Sequence, residues 1–236
     1  MWNPKNFEEK YTPKSIHDIV FADHQDKSLI EQLITGQRPF PIASGKCGIL
    51  LYGIPGTGKS ALAKLLPDAM EEARTGSPFS SQRRYVQVQP GANGMTLLNS
   101  IRTQAMYVPF ATYHYFVLDE VDNLNEQAMS ILKSVMNTPN CVFVMTTNNF
   151  DLIEVGVRSR CHCIPFNAAP SSGWLPLAKR IVSDAGISGI SDQQLLSVIA
   201  TGKGSARDIT DALISVVLNV RTSNSANICA LEGEQS

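Results

Sequence analysis

The sequence has few cysteines, no long apolar run and almost no net charge, and each of these shortages bears on the class of protein. No stretch approaches the about 20 consecutive apolar residues that a membrane-spanning helix needs, and the start MWNPKNFEEK lacks the apolar centre of a signal peptide. We therefore expect a cytoplasmic protein without a membrane partner. The net charge of −1 neither supports nor excludes DNA binding, because a local basic patch can exist at any net charge.

The cysteines are odd in number and scattered, which favours reduced thiols in a reducing compartment. They are Cys47, Cys141, Cys161, Cys163 and Cys229. The run Cys161-His162-Cys163 invites a metal-site interpretation, but no second pair of Cys or His stands near it in the sequence to complete a tetrahedral site. Buried or inert thiols are therefore the favoured interpretation.

A glycine-rich motif is the most informative feature that is present. The segment GIPGTGKS follows the apolar run Gly48 to Tyr52 and precedes a helical pattern, which is the order strand, phosphate loop, helix. Its glycines permit positive φ and turn backbone N–H groups inward, so the loop is predicted to bind the phosphates of ATP. Lys59 is predicted to reach the β- and γ-phosphates and the Ser60 hydroxyl to bind Mg²⁺. The predicted nucleotide contacts here are Gly53, Ile54, Pro55, Gly56, Thr57, Gly58, Lys59, Ser60 and Ala61. An ordinary glycine-rich turn is the alternative, but all four fixed positions of the motif are met.

The pattern after this motif alternates strand and helix signals, which predicts an α/β fold with a parallel sheet between helices. Further strands are predicted at 84–88, 113–118 and 141–147, with helices at 96–105 and 126–137 between them. Near 166–173 the composition turns to Pro, Ala, Ser and Gly, which is typical of a hinge. Only helical patterns follow, at 175–185, 191–201 and 205–220. We therefore predict a nucleotide-binding domain over 1–168, a helical lid over 169–221 and a flexible tail over 222–236.

Two carboxylates stand at the end of the third predicted strand. Alternation along a strand points Asp119 and Glu120 in different directions, so we assign Asp119 to Mg²⁺ and Glu120 to general-base activation of a water. A solvated acidic loop is the alternative. Thr147 and Asn148 end the next strand, where a neutral polar group can bind the water or the γ-phosphate, and Asn148 is preferred. Taken alone, Thr-Asn-Asn would be interpreted as a turn.

Two arginine-bearing segments lie outside the motif and the strands. Val157 to Cys161 carries arginines without an obvious partner in the same chain, and such a side chain can complete the site of a neighbouring subunit. Arg207 begins the last helical pattern, where it can bind the γ-phosphate. The alternatives are a solvated surface arginine in the first segment and an ion pair of Arg207 with Asp208 or Asp211.

Taken together, these segments resemble the clamp-loader branch of the AAA+ ATPases, in particular the bacterial tau/gamma subunit and the small subunits of replication factor C. The resemblance covers about residues 8 to 220 and rests on KYTPKSIHDIV, GIPGTGKS, FVLDEVD, ILKSVMNTP, TTNN, RSRC and GSARD in that order. It implies that Asn148 is the first sensor, Arg160 the arginine finger acting in trans and Arg207 the second sensor. It also implies that Tyr11, Pro13, Ile19 and Val20 flank the adenine, although Thr12 stands where the family usually has arginine.

The resemblance has two departures. Clamp-loader subunits carry a third helical domain, the collar, and this sequence ends just after the helical lid, so its assembly is expected to differ. The zinc-binding insertion of the tau/gamma subunit has no cysteines here in 67–84, so no zinc is expected. That stretch is predicted to be a mobile loop through Ser77, Pro78, Ser80 and Ser81. Arg83, Arg84 and Arg102 are candidates for contacting DNA backbone, with solvated arginines as the alternative.

Three functions therefore remain open. The first is an ATP-hydrolysing oligomeric motor or switch on DNA, with ATP between subunits, in clamp loading or a related phage or mobile-element process. A sliding clamp or another protein would then be the loaded partner. The second is a non-catalytic, ATP-dependent interaction protein, against which the intact Lys59, Asp119, Glu120 and Arg160 count. The third is a small-molecule kinase, which the lid and the Ser-Arg-Cys segment disfavour.

Overall fold

The chain folds into two compact units, Pro13–Asn167 and Met1–Thr12 with Ala168–Ser236. The computed structural model describes residues 10–42, 45–77, 83–91 and 93–233, with side chains up to residue 222. The predicted mobile residues Pro78, Ser80 and Ser81 therefore lie outside the described part of the chain, and so does the Cys229 side chain.

The first unit contains a five-stranded parallel sheet in the order β2-β3-β4-β1-β5. The strands are β1 (Gly48–Tyr52), β2 (Arg83–Gln87), β3 (His114–Asp119), β4 (Cys141–Thr147) and β5 (Cys161–Pro165). The first four coincide with the predicted strands to within a residue or two. The sequence analysis did not predict β5, a short edge strand that is only partly buried and pairs with β1 alone. Because β4 lies between β1 and β3, the polar residues after all three strands meet at one edge of the sheet.

Helices cover both faces of this sheet. They are α1 (His24–Thr35), α2 (Lys59–Thr75), α3 (Gly94–Ala105), α4 (Glu126–Val135) and α5 (Val155–Ser159). Neighbouring strand residues point to opposite faces, so Leu51 packs with the side chains of α1 and α2 while Leu50 packs with those of α3 and α4. Both residues are fully buried. The predicted α/β fold with a parallel sheet between helices is confirmed.

The prediction of a mobile loop over 67–84 is wrong for most of that stretch. Helix α2 continues through Pro67 to Thr75, and β2 already begins at Arg83. The reason is the apolar face of α2, because Leu62, Leu66 and Met70 recur at four-residue spacing and are fully buried. Their burial outweighs the backbone hydrogen bond that a proline inside a helix forfeits.

A buried carboxylate ties α2 to the segment before β3. Glu71, only 3% exposed, accepts hydrogen bonds from the backbone N–H and the hydroxyl of Thr112 at 2.9 and 2.8 Å and from the Tyr115 hydroxyl at 2.8 Å. Replacing Glu71 with alanine leaves buried donors unpaired, so we expect the free energy of unfolding to fall by about 3 kcal/mol. Denaturant titration measures this loss. Alanine at the exposed neighbour Glu72 is the matched control, and an equal effect of the two variants would refute the role given to Glu71.

His162 on β5 makes the stability of this unit dependent on pH. Its ring lies edge-on to Phe40 with centroids 5.7 Å apart, and its buried Nε2 has no hydrogen-bond partner among the described residues. Burial, together with the charges of Lys46 and Arg38, lowers the pKa of His162 to about 4. The unfolded chain therefore binds the proton first, and stability is lost as the pH falls from about 6.5 towards 4.

We expect the melting temperature of the wild-type chain to fall between pH 7 and pH 5, and we expect His162→Gln to show a smaller fall. The exposed His17→Gln is the control, because its side chain is not buried against an aromatic ring. Thermal unfolding followed by circular dichroism at both pH values gives the comparison. Parallel pH profiles for wild type and His162→Gln would show that another group carries the dependence.

The cysteines of the first unit are free thiols in largely buried positions. Cys47, Cys141 and Cys161 are buried and Cys163 is half-buried. Burial raises the pKa of Cys47 to about 11 and that of Cys141 to about 12, which disfavours the reactive thiolate. Within the described residues no group of three or more His, Cys, Asp or Glu side chains is arranged to hold a metal ion.

In its described part beyond residue 168, the second unit contains the helices α6 (Ser171–Asp184), α7 (Asp192–Thr201) and α8 (Ala206–Gly233). Ser191 starts α7 with a capping box, in which its hydroxyl accepts from the Gln194 N–H while the Gln194 side chain returns to the backbone of Ser191. Helix α8 continues into 222–236, for which we predicted a flexible tail, and the flexibility itself stays a prediction. None of the helices described in either unit is long and apolar enough to cross a membrane.

Candidate functional site

The loop between β1 and α2 forms a backbone cradle at the carboxyl edge of the sheet. Gly53, Gly56 and Gly58 have φ of 143°, 80° and 101°, conformations that residues with a Cβ rarely adopt. A Cβ at Gly53 would lie 2.7 Å from the carbonyl oxygen of Phe166, and the Phe166 N–H donates to the Tyr52 carbonyl at 2.6 Å. The glycine therefore lets the loop start directly against the backbone of Phe166.

Lys59 lies at the first position of α2 and is folded onto the loop. Its Nζ donates to the carbonyl oxygens of Gly53 and Ile54 at 2.9 and 2.6 Å, and the residue is only 6% exposed. Burial lowers the pKa of Lys59, while the charges of Asp119, Asp122 and Glu120 act in the opposite direction. A buried ammonium group stays charged only when carboxylates such as these lie close to it. The site therefore combines a cationic loop with an acidic strand end.

The acidic strand end is connected directly to the loop through Ser60. The Ser60 hydroxyl donates to Asp119 Oδ1 at 2.8 Å, and Tyr85 on β2 donates its hydroxyl to Asp119 Oδ2 at 2.8 Å. Thr146 on β4 also donates to Oδ1. Burial and the hydrogen bond to Asp119 raise the pKa of Tyr85, so its hydroxyl remains a donor. Three strands and the phosphate loop thus hold Asp119, which is 4% exposed.

Glu120 adopts a left-handed backbone conformation, with φ 60° and ψ 51°, directly after β3. Its N–H donates to the Thr146 hydroxyl at 3.0 Å, and its Oε2 accepts from the Gln87 side-chain amide at 3.1 Å. A non-glycine residue in this conformation is uncommon, and its side chain does not follow the alternating directions of the strand. Glu120 is half-buried, in contrast to Asp119, so the two carboxylates have different surroundings.

The end of β4 lies between these groups. Thr147 is fully buried and its hydroxyl accepts from the Asn149 N–H at 3.0 Å, whereas the Asn148 side chain is exposed. Of the two predicted candidates, only Asn148 is free to face solvent at this edge. Asn148 lies at this edge because the strand order places β4 between β1 and β3.

Arg160 lies at the amino-terminal end of the strands, opposite the carboxyl edge of the sheet. Its carbonyl accepts from the N–H groups of Cys47 and Gly48, where β1 begins, while the phosphate loop follows the end of β1. Four residue steps along β1 amount to about 13 Å. The guanidinium is half-buried and donates to Asn137 Oδ1 at 2.9 Å and to the Gly156 carbonyl at 2.7 Å. The structure therefore does not bring Arg160 to the phosphate loop of its own chain.

The remaining predicted nucleotide contacts divide between the two units. Tyr11 belongs to the second unit, where its hydroxyl donates to Asp184 Oδ2 at 2.8 Å, and Arg207 is exposed in the first turn of α8. No carboxylate of the described residues lies within ion-pair distance of Arg207, so the alternative of a pair with Asp208 or Asp211 is not seen. The others belong to the first unit: Ile19 is buried, Pro13, Val20, Ser60 and Ala61 are half-buried, Thr57 is buried, and Ile54 and Pro55 are exposed.

The arginines considered for DNA have partners in their own chain. Arg83 pairs with Asp68 and also donates to the Lys64 carbonyl at 3.1 Å. Arg84 donates to the Ser100 hydroxyl at 2.8 Å and Arg102 to the Ser134 hydroxyl at 3.4 Å. These contacts use only part of the five donors that each guanidinium carries.

The residues at the carboxyl edge fit a magnesium nucleotide. The donor set of Ser60 hydroxyl and Asp119 carboxylate is made of hard oxygen atoms, the ligands that Mg²⁺ prefers. The inward N–H groups of a glycine loop at a helix start suit an anion. A phosphate loop joined in this way to an acidic strand end defines a P-loop NTPase of the α/β class.

The sequence comparison narrows this class to one family. Residues 49–166 match the family described as "ATPase family associated with various cellular activities (AAA)". The chain belongs to this AAA family, and the matched range contains the phosphate loop, Asp119, Glu120, Asn148 and Arg160. The resemblance to AAA+ ATPases is thereby confirmed. No curated protein sequence matches the chain at a significant level.

Solved structures share the fold at low sequence identity. One variant of RuvB from Thermotoga maritima matches 90% of this chain and 65% of its own length at 17% identity, with a TM-score of 0.65. A DNA polymerase III gamma subunit-related protein of the same organism matches 80% of this chain and 57% of its own length at 16% identity, with a TM-score of 0.55. The chain thus spans less than two thirds of both, and the likeness concerns the fold.

Several residues of the site were not predicted from the sequence. Tyr85 and Thr146 bind Asp119, Gln87 binds Glu120, and Asp122 carries charge close to Lys59. Gln87 lies opposite Asp119 in the register of β2 and β3. These residues could be found only from the strand order, because that order decides which strand ends are neighbours. The sequence alone does not give the strand order.

Proposed function

We propose that this chain is an ATP-hydrolysing AAA+ protein that works as an oligomer on DNA, in the manner of a clamp-loader subunit. The observation that carries the proposal is the hydrogen bond of 2.8 Å between Ser60 and Asp119, which joins the phosphate loop to the acidic end of β3. Ser60 and Asp119 would hold Mg²⁺, which would neutralise the charge that develops during phosphoryl transfer.

The side chains at this edge take separate roles in the proposal. Lys59 exchanges its contacts with the Gly53 and Ile54 carbonyls for phosphate oxygens, because a charged acceptor binds an ammonium group more strongly. Glu120 accepts the proton of the attacking water, and Asn148 holds the water or the γ-phosphate by a neutral hydrogen bond. Asp119 serves the metal, because its Oδ1 lies 2.8 Å from the hydroxyl of Ser60, the other proposed magnesium ligand.

Oligomerisation is part of the proposal because of Arg160. The backbone of Arg160 lies at the amino-terminal end of the strands, away from the phosphate loop of its own chain. Arg160 can therefore act on a nucleotide only in a neighbouring copy. Arg207 and Tyr11 belong to the second unit, and their proposed contacts with the γ-phosphate and the adenine require that unit in the working assembly.

DNA is proposed as the partner on two grounds. The fold is shared with proteins whose names refer to RuvB and to a DNA polymerase III gamma subunit. The sequence from residue 73 to residue 118 also contains no Asp or Glu and four arginines, Arg74, Arg83, Arg84 and Arg102. Such a segment can contact phosphates although the whole chain is close to neutral.

A non-catalytic ATP-dependent interaction protein is the second candidate. The observation that favours it is the hydrogen bond from Gln87 to Glu120, which occupies an oxygen of the proposed general base. In this case nucleotide binding fixes a conformation for a partner protein and turnover is negligible.

The deciding experiment is steady-state ATP hydrolysis by the purified chain over a range of protein concentrations, with and without primer-template DNA. We expect specific activity to rise with concentration and with DNA, and Lys59→Ala to abolish it. ATP binding without turnover in every condition would support the second candidate. Absence of ATP binding would contradict both.

A further inference from the structure

The turn after β4 and the turn after β3 are tied together by one pair of side chains. The Asn149 side-chain amide donates to Asp122 Oδ2 at 2.8 Å, and the Asn149 N–H donates to the Thr147 hydroxyl at 3.0 Å. Asn149 is thus held on two sides, through its backbone and through its side chain. Asn148 stands between Thr147 and Asn149 in the chain, so its backbone position is set by these two contacts.

The Asp122 end of the pair is also fixed. Asp122 lies in a short 3-10 helix, Val121–Asn123, that begins directly after Glu120. The next side chain, Asn123, donates to the Val88 carbonyl at 2.8 Å, and the Val88 N–H donates to the Asp119 carbonyl at 2.9 Å. This turn therefore cannot shift without disturbing the end of β2.

Stability of the fold does not account for an aspartate at position 122. Its Oδ1 is buried and lacks a hydrogen-bond partner in the part of the chain that the structure describes. An unpaired buried carboxylate oxygen destabilises a protein, and only the charge of Asp122 near Lys59 offsets this cost. A carboxylate does, however, give a stronger hydrogen bond to the Asn149 amide than a neutral acceptor.

We infer that Asp122 and Asn149 act as a positioning pair, which holds the turn carrying Asn148 at a fixed place beside the turn that starts at Glu120. This inference rests on the proposed function, in which Asn148 contacts the water or the γ-phosphate. Neither member of the pair touches the reacting atoms. Both act through Asn148, so their loss lowers turnover and the discrimination between ATP and ADP, while general affinity for the nucleotide is kept by the phosphate loop.

The test is a double-mutant cycle with Asp122→Ala and Asn149→Ala. We expect each variant to lower kcat about five- to tenfold with little change in KM. We expect the double variant to be no slower than the slower single variant, because both substitutions break the same hydrogen bond. Asp122→Asn, which keeps an acceptor oxygen for Asn149, should recover most of the rate. Asp151→Asn in the same region, with a fully exposed side chain, is the control.

A second measurement separates this inference from the proposed function. The ratio of ATP to ADP affinities, measured with fluorescent nucleotides and without turnover, should fall in both single variants to the value found for Asn148→Ala. Wild-type chain that binds ATP and does not hydrolyse it would contradict the proposed activity and still allow this ratio to be tested. Multiplicative losses in the double variant, or unchanged ratios in folded single variants, would overturn the positioning pair.

Discussion

Replacing Arg160 with alanine is expected to leave ATP binding intact and to lower hydrolysis by about a thousandfold, the scale of an arginine finger. The physical reason is the position of this residue, since its backbone borders the start of β1 and its own phosphate loop follows the end of that strand. Under the proposed function, the nucleotide that Arg160 acts on belongs to a neighbouring copy. Equilibrium binding of a fluorescent ATP analogue and steady-state phosphate release measure the two halves of the prediction.

The controls for this variant address the local contacts of Arg160. Its guanidinium binds Asn137 and the Gly156 carbonyl, so Arg160→Lys, which keeps the charge and loses the planar fork, separates electrostatics from geometry. Arg158→Ala removes the adjacent arginine, which lies over the Phe150 ring at 4.9 Å. Normal turnover by Arg160→Ala would disprove the finger assignment, and equal losses in both alanine variants would point to a damaged α5 instead.

Mixing variants tests action in trans. A chain with Arg160→Ala still offers Glu120, and a chain with Glu120→Gln still offers Arg160, so a mixed assembly contains some complete sites. We expect activity to appear on mixing two nearly inactive preparations. An inactive mixture at concentrations where the wild type is active would show that both residues serve the same chain.

The second large effect is expected at Glu120. Glutamine at this position keeps the size of the side chain and an oxygen that accepts from Gln87, but it removes the proton acceptor. We therefore expect kcat to fall by about a hundred- to a thousandfold with ATP affinity unchanged, within the range for loss of a general base. Glu126→Gln, an exposed carboxylate at the start of α4, is the control.

Rapid-quench measurement of a single turnover distinguishes a slow chemical step from slow product release in Glu120→Gln. A slow chemical step is the expected result. If chemistry stayed fast in this variant, the assignment of Glu120 as general base would be wrong.

The sequence was sufficient for most of the fold and for the chemistry of the loop because both depend on local patterns. The spacing of glycines around Lys59 and the apolar run before it predict a strand, an anion loop and a helix without long-range information. The acidic pair after β3 was readable for the same reason. The two-residue alternation of Leu50 and Leu51 likewise explains the helices on both faces.

The parts that were missed depend on which strands are neighbours. Tyr85 and Gln87 come from β2 and Thr146 from β4, and their contacts with Asp119 and Glu120 follow from the order β2-β3-β4-β1-β5. Strand β5 was missed because it is short and only partly buried at the edge of the sheet. Helix α2 was cut short in the prediction because the resemblance places an insertion over 67–84 and because Ser77, Pro78, Ser80 and Ser81 indicate a loop.

The close approach of Gly53 to Phe166 places the phosphate loop against the last residues of its own unit. The first unit ends at Asn167, one residue after the backbone that the loop touches. Two peptide steps from Phe166 to Ala168 span at most about 7 Å. If the loop rearranges when ATP is exchanged for ADP, as the proposed function implies, we expect the backbone of Phe166 to move with it.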